Sequence, residues 1–425
     1  MSQALQAVRG MNDILPDQTP HWQWLETRLH AWLAAFGYQE IRTPIVEQAA
    51  LFSRAIGEVT DIVEKEMYTF TDALNGEQLA LRPEGTAACV RAVIEHSLLY
   101  QGPRRLWYQG AMFRHERPQK GRYRQFHQLG IEAMGFADAE LDAEHLVMAA
   151  DLWQRLGLSD LTLEINTLGD STARARHRSK LIAYFTAHES ALDEDARRRL
   201  HSNPLRILDS KNPAMQAIVE AAPKLMDEID DIAIAHFETV QRILRAHDIA
   251  FTINPRLVRG LDYYNHTVFE WVSHQLGAQG TVCAGGRYDG LMAQMGGKPA
   301  PACGFAIGLE RLLLLCEIQA IDMKTPPTDV YIVHQGEAAQ HHVWQIARQL
   351  RQAGISTLLH CGGGNFKAQM KKADASGARF AVIIGDNEIA AQQITLKSLR
   401  LDLPQQAYCA ADAIQHILTF RSSQP

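Results

Sequence analysis

Hydrophobic and polar positions alternate most regularly between Leu106 and Ala133. At strand period Arg122, Arg124, Phe126, Gln128, Gly130 and Glu132 fall on one side of the second half, while Leu129, Ile131 and Ala133 fall on the other and predict core. The first half, Leu106 to Glu116, puts Gly110, Met112, Arg114 and Glu116 together. Pro118 and Gly121 mark a turn between the halves, so the pattern predicts an antiparallel hairpin. Upstream, Trp22, Leu25, Leu29, Trp32, Leu33 and Phe36 recur at helical spacing, with Thr19 as the expected cap, Pro20 at the first position and Gly37 at the stop. Residues 51–70 fit a helix or a mobile loop. LALRPEGTAACVRAVIEH then runs strand, turn, helix, with Glu84 and Thr86 at the helix start.

Residues 170–245 keep helical periodicity, broken at Asn203-Pro204 and Asn212-Pro213, and read as a helical insertion. In PRLVRGLDYYNHTVFEWV, Arg259-Gly260 precedes a strand in which Tyr264, His266 and Val268 alternate with Tyr263, Asn265 and Thr267. Gly285-Gly286 taken alone reads as a tight turn. ACGFAIGLERLLLL predicts a strand to Gly308 and a helix from about Leu309, with Arg311 in its first turn. After the linker Thr325-Pro326-Pro327, strands and helices alternate as in a small α/β domain.

Composition narrows the class. At 425 residues, 46% hydrophobic and 21% charged, the chain has room for two or three globular domains. The start MSQALQAVRGMND lacks the apolar run of a signal peptide, and the densest run, Leu312 to Cys316, is too short to span a bilayer. The six dispersed cysteines have neither CxxC nor zinc spacing, so reduced thiols in a cytoplasmic protein and no zinc are expected. A net charge of −6 argues against non-specific nucleic-acid binding, but charge is local. Arg104 to Arg124 holds seven Lys/Arg against Glu116 alone, and the chain from Pro327 holds nine against seven acids. There Lys367, Lys371 and Lys372 make one basic helix side after Gly362–Asn365.

Arginine forks suit phosphate and a phenyl ring suits a base, whereas Glu132 calls for a ligand part that is cationic or donates hydrogen bonds. The plainer alternatives are a solvated face with ordinary ion pairs and, for Glu84, a helix N-cap. No Walker GxxxxGK[ST] exists. Phe113-Arg114-His115-Glu116, a loop, an arginine and Phe126 resemble motif 2 of the class II aminoacyl-tRNA synthetases. The first helix, strand and Pro44 look like motif 1, a dimerisation element, and GFAIGLERLLLL looks like motif 3, with Ala306 where many members have glycine. LVRGLDYY and AGGRYDGL resemble the two segments peculiar to histidyl-tRNA synthetases.

That resemblance covers nearly the whole chain. It implies an α+β catalytic domain, an antiparallel sheet flanked by helices, over 1–325, interrupted by the 170–245 insertion, and an anticodon-binding α/β domain over 327–425. It implies ATP, Mg²⁺, L-histidine and histidine tRNA as ligands of a homodimer. Arg114 is then expected on the α-phosphate, Arg122 on the γ-phosphate, and Phe126 and Arg311 around the adenine. Arg259 falls between the histidine carboxylate and the α-phosphate, and Glu116 becomes a magnesium ligand. Glu84, Thr86 and Gln128 take the ammonium group. Glu132 and Tyr264, beside Tyr263, take the imidazole. Lys367, Lys371 and Lys372 are expected on tRNA. The rival reading is a non-translating regulatory subunit of histidine biosynthesis. Such proteins resemble the catalytic domain but lack the C-terminal domain and erode the ATP-binding arginines, whereas Arg114, Arg311 and the last domain are present here.

Overall fold

The computed structural model describes every residue except 1–3, 58–59, 203, 209, 211, 260, 262, 324–325 and 424–425. Asn203 of the expected break, Gly260 beside Arg259 and Thr325 of the expected linker therefore lie outside the described residues. By packing, the chain divides into Met1–Met323 and Lys324–Pro425.

The first unit is organised on an eight-stranded sheet. Across it the strands run Gln39–Glu40, Arg104–Phe113, Gln125–Met134, Ala302–Gly308, Thr281–Arg287, Asn265–Ser273, Leu161–Thr167 and Phe251–Ile253. The six central strands are antiparallel, and only the two short edge strands join in parallel. The expected hairpin is its longest pair, in register from Arg104–Met134 to Phe113–Gln125.

One sheet face packs on the helices Thr19–Ala35, Ala139–Leu156, Asp231–Ala246 and Leu309–Ile318, where Leu29, Trp32, Leu129, Ile131, Leu152, Phe305 and Leu312 are fully or nearly fully buried. Burying each such side chain contributes roughly 1.5–3 kcal/mol. Trp32 also satisfies its indole N–H on the Met148 carbonyl at 3.1 Å. Thr19 is not the cap of the first helix. It is already helical, Gln18 precedes it without a side-chain cap bond, and its hydroxyl donates back to the Pro16 carbonyl. Gly37, at φ +74°, makes the stop. Residues 49–71 resolve into the helix Ala49–Ile56, a π-helical turn at Ile62–Glu66 and the strand Tyr68–Thr71 of a small three-stranded sheet.

The segment expected as one helical insertion splits by packing. Leu181, Phe185, Leu192, Leu200, Met215 and Val219 make a separate small core. The helix Asp231–Ala246 instead sends Phe237, Val240 and Leu244 into the main core.

In the second unit five strands run in the order Thr357–Leu359, Val330–His334, Phe380–Ile384, Ile394–Ser398, Gln406–Tyr408, the first three parallel and the last two antiparallel. Helices Glu337–Gln352 and Ala410–Ser422 cover one face, burying Val343, Ile346, Leu350 and Ile417 against Val330, Ile332, Phe380 and Val382.

Candidate active site

The sheet face opposite the main core carries a cleft of about 310 Å³ lined by Arg114, Glu116, Arg122, Tyr123, Phe126, Gln128, Arg259, Glu310 and Arg311, among others. Residues far apart in sequence meet here because Arg104–Phe113, Gln125–Met134, Ala302–Gly308 and Thr281–Arg287 are successive sheet neighbours.

At one end the guanidinium carbon of Arg114 lies 5.3 Å from the Phe126 ring centroid, and its Nε donates to the Pro83 carbonyl at 3.0 Å. Arg311 donates to the Gly121 and Thr281 carbonyls at 3.0 and 2.7 Å. Burial lowers the pKa of Arg114 and Arg311, and for Arg311 the neighbouring Arg114 and Arg122 lower it further. Positive charge is therefore crowded in a partly desolvated place, an arrangement that an incoming polyanion relieves. Arg122 is in direct ion contact with Glu116 and lies 3.6 Å from Glu66. The strand ends at Phe113, and Arg122 stands in the connecting loop rather than on the strand where alternation put it. Gly121, at φ +74°, makes the turn.

Arg259 lines the same cleft and forms an ion pair with Glu270. Burial alone would lower its pKa, but the charges of Glu270 and of the Tyr264 and Tyr263 oxygens outweigh this and raise it. The guanidinium stays charged and is aimed into the cleft from the segment before Asn265–Ser273.

Behind Gln128 the sheet encloses a second, drier group. Glu132 is 1% exposed. Its Oε1 accepts from the Thr86 hydroxyl at 2.7 Å and the Tyr108 hydroxyl at 3.0 Å, and its Oε2 accepts from Tyr288. Burial pushes this carboxyl up to about 8, against the hydrogen bonds of Tyr288, Thr86 and Tyr108. Tyr263 and Tyr264 close the pocket, their rings 4.6 Å apart and Tyr263 5.5 Å from Tyr288. Both tyrosines are buried, so the expected alternation does not reach them. The strand starts only at Asn265. Glu84 caps the helix Thr86–Glu95, accepting from the backbone N–H groups of Thr86 and Ala87 at 2.6 and 2.9 Å. Burial raises its pKa, opposed by those bonds. The N-cap position itself is Gly85, so Glu84 satisfies the first N–H groups from one residue further out than the plain N-cap reading put it, and the carboxylate retains lone pairs for a ligand, since it has about four acceptor positions.

The glycines on the ligand face of the hairpin make room for protein side chains. A Cβ on Gly110 would meet the Arg82 guanidinium at 2.4 Å, and one on Gly130 the Tyr108 ring at 2.1 Å. Gly285 and Gly286 are not a tight turn. They lie within a strand, where a Cβ would strike the Gly304 and Thr267 carbonyls at 2.2 and 2.3 Å.

Tyr108, Tyr288, Glu270 and Glu310 escaped the sequence reading. Tyr108 sits one step back on the alternation that gathers Gly110 and Met112, so that pattern contained the signal. Tyr288 lies in the RYDG segment without any residue-level cue. Glu310 accepts from the His127 backbone N–H at 2.9 Å and pairs with its Nδ1 at 2.8 Å, a contact across 183 residues that no local pattern announces. Lys367, Lys371 and Lys372 belong to the other unit, all exposed on the helix Phe366–Ala375, which Asn365 caps by accepting from Ala368 N at 2.9 Å.

A central antiparallel sheet, a motif 2 hairpin whose arginine and phenylalanine face a cleft, and a motif 3 strand and helix that return an arginine to it define the catalytic domain of a class II aminoacyl-tRNA synthetase. Among known families, the profile described as Histidyl-tRNA synthetase matches residues 10–312 and that described as Anticodon binding domain matches 329–408. The Histidine–tRNA ligase of Thiobacillus denitrificans is 65% identical over 417 residues, 98% of this chain and 99% of its own. That of Nitrosomonas europaea is 65% identical over 401 residues, covering 94% and 95%. The crystal structure of apo S. aureus histidyl-tRNA synthetase is similar with a TM-score of 0.83 at 34% identity, covering 97% of this chain and 100% of that one. The chain belongs to the histidyl-tRNA synthetase family.

Proposed function

We propose that the cleft and the pocket behind it are the two halves of one activation site, for ATP and for L-histidine. The chain is an ATP-dependent histidine–tRNA ligase. The histidine carboxylate attacks the α-phosphorus and the bond to pyrophosphate breaks; a ribose hydroxyl of the 3′-terminal adenosine of histidine tRNA then attacks the acyl carbon of the adenylate, and the acyl–phosphate bond breaks to release AMP. The nucleophile belongs to the substrate, so the protein's work is positioning and charge stabilisation. In this reading Arg114 holds the α-phosphate. Arg122 exchanges its carboxylate partners for the γ-phosphate, and Phe126 and Arg311 flank the adenine. Arg259, at the junction of the two halves, stabilises charge as the carboxylate attacks. Glu84, Thr86 and Gln128 receive the ammonium group, and Glu132 and Tyr264, beside Tyr263, the imidazole.

The observation that carries this is the junction itself. A cationic cleft and a buried carboxylate pocket share one sheet face, with Gln128 lining the cleft from the strand that carries Glu132 and Arg259 lining it from the segment that leads to Tyr263 and Tyr264. The family implies a divalent metal. Among the described residues no three His, Cys, Asp or Glu side chains gather into a cage. Glu116, with Glu66 across Arg122, offers hard oxygen donors of the kind Mg²⁺ uses when it shares its coordination with phosphates. Mg²⁺ bound there would neutralise phosphate charge.

Lys367, Lys371 and Lys372 are the proposed tRNA contacts of the second unit. Exposed Val46 and Phe70 on the small sheet, with Ile45 just before it, support a homodimer. No helix among the described residues is long and apolar enough to cross a membrane, and a cytoplasmic site of action suits a tRNA substrate. The regulatory-subunit reading is not favoured, since Arg114, Arg311 and the second unit are retained. Histidine-dependent exchange of ATP with pyrophosphate tests the proposal. Exchange with histidine, and none with other amino acids, is expected. A protein that binds both ligands without exchange would be a non-catalytic relative.

A further inference from the structure

Tyr108 has no part in the roles above, yet two elements are shaped around its ring. A Cβ on Gly130, its cross-strand partner, would fall 2.1 Å from Cζ, and one on Gly85 would fall 2.0 Å from Cε2. Gly85 has φ −108°, a backbone open to any residue, so room for the ring is what glycine supplies there. Packing would be served equally by phenylalanine. The hydroxyl is the feature that packing leaves unexplained, and it is spent on Glu132 Oε1 at 3.0 Å, beside the Thr86 hydroxyl at 3.5 Å.

The groups facing Glu132 come from four directions. Glu84, Thr86 and Cys89 stand at and within the helix Thr86–Glu95, and Tyr108 on the adjacent strand. Tyr288 follows the strand Thr281–Arg287, and Tyr263 and Tyr264 precede Asn265. Glu84 repels a charge on Glu132, and the three hydroxyls of Tyr288, Thr86 and Tyr108 support it. They use three of about four acceptor positions of the carboxylate.

We infer that Tyr108 is a positioning residue for histidine selection, its hydroxyl joining those of Thr86 and Tyr288 to favour the charged form of Glu132 against burial and to orient it with one lone pair left for an imidazole N–H. The inference rests on the proposed role of Glu132. Hydrogen bonds to a carboxylate favour its charged form, so losing one donor raises the pH at which that form appears. An N–H donor needs the charged form, so histidine affinity falls as pH drops through the Glu132 value. Without the Tyr108 hydroxyl that fall begins at higher pH.

The test compares full-length wild type, Tyr108→Phe and Glu132→Gln by histidine-dependent ATP–pyrophosphate exchange from about pH 6 to about pH 9, a window in which free histidine's own titration is common to all three. For Tyr108→Phe the histidine KM should rise about two- to tenfold at neutral pH, the range of one net hydrogen bond. Its acid limb should move upward, and the ATP KM should stay unchanged. An unmoved limb with an unchanged histidine KM overturns the inference, and so does a joint rise of both KM values with a lower Tm, the mark of a ring that only packs. If Glu132→Gln raises the histidine KM and Tyr108→Phe does not, this inference alone fails. If Glu132→Gln has no effect, the imidazole reading fails and takes the inference with it.

Discussion

Glu132 shows how one residue can carry opposite demands. Its carboxyl stands at about 8 instead of 4.5, so the folded protein keeps that proton longer than the unfolded chain does. The sign follows directly: the contribution to stability is complete below the unfolded value and is lost as pH rises through the folded one. Glu132→Gln cannot ionise, and its thermal midpoint is expected to gain on wild type steadily as pH rises from about 5 to about 8.5. Thermal unfolding at several pH values checks this, and a pH-independent gap would refute a carboxyl held protonated by burial. Arg259 poses the reverse case, a cation kept charged by Glu270 and proposed to stand where charge shifts during reaction. Arg259→Ala is expected to slow single-turnover adenylate formation about 10²–10³-fold, the usual cost of one lost transition-state donor. Because this strands Glu270, the double change Arg259→Ala, Glu270→Gln should repeat the rate loss with a higher Tm than the single. A near-normal rate with weaker histidine binding would assign Arg259 to the ground state.

At the scale of elements, the site depends on how closely strands and helices approach. The hairpin face meets the helix Thr86–Glu95 only because Gly85 and Gly130 leave room for Tyr108. Gly130→Ala is expected to cost about 1–3 kcal/mol by overpacking and to raise the histidine KM by displacing the ring from Glu132. Denaturant titration and exchange kinetics on one preparation would show whether both occur. A second tie lies at the other end of the hairpin. Arg287, 1% exposed, donates to Asp142 on the helix Ala139–Leu156 and to the Phe136 and Asp138 carbonyls at 2.9 and 3.1 Å. Burial would raise the Asp142 carboxyl, but the His236 hydrogen bond and the Arg287 charge hold it well below the usual carboxylate range. Asp142→Ala leaves the buried Arg287 with Asp289, at 3.1 Å, as its one remaining carboxylate partner, and a loss of up to about 3 kcal/mol in unfolding free energy is expected.

For the whole molecule, the separate cores of Met1–Met323 and Lys324–Pro425 make a specific expectation. A chain ending near Met323 should fold and catalyse histidine-dependent exchange, since every proposed ATP and histidine residue precedes that point. It should charge tRNA poorly, chiefly through tRNA KM, and with a weaker salt dependence of binding because fewer phosphates are neutralised. Undiminished charging would remove Lys367, Lys371 and Lys372 from the tRNA contacts. Loss of exchange in soluble truncated protein would show that the second unit supports the active site.

What the sequence determined by itself were the features written in local periodicity. The alternation from Leu106 to Ala133 dictated the hairpin and its core face, because side chains on a strand must point to opposite sides. The helical stripe after Thr19, the α/β alternation after Pro327 and the shared strand face of Phe126, Gln128 and Glu132 were legible for the same reason, whereas Arg114, Arg122 and Arg124 fall in the connecting loop. Tertiary structure alone decided which distant groups meet. Glu310 with His127, and Tyr108 and Tyr288 with Glu132, arise from sheet order, and sheet order depends on the sum of long-range packing rather than on any window of sequence. Gly110 and Gly130 show the limit most clearly. Their need for space was readable, but whether a ligand or a neighbouring side chain fills it is settled only when the strands are brought together.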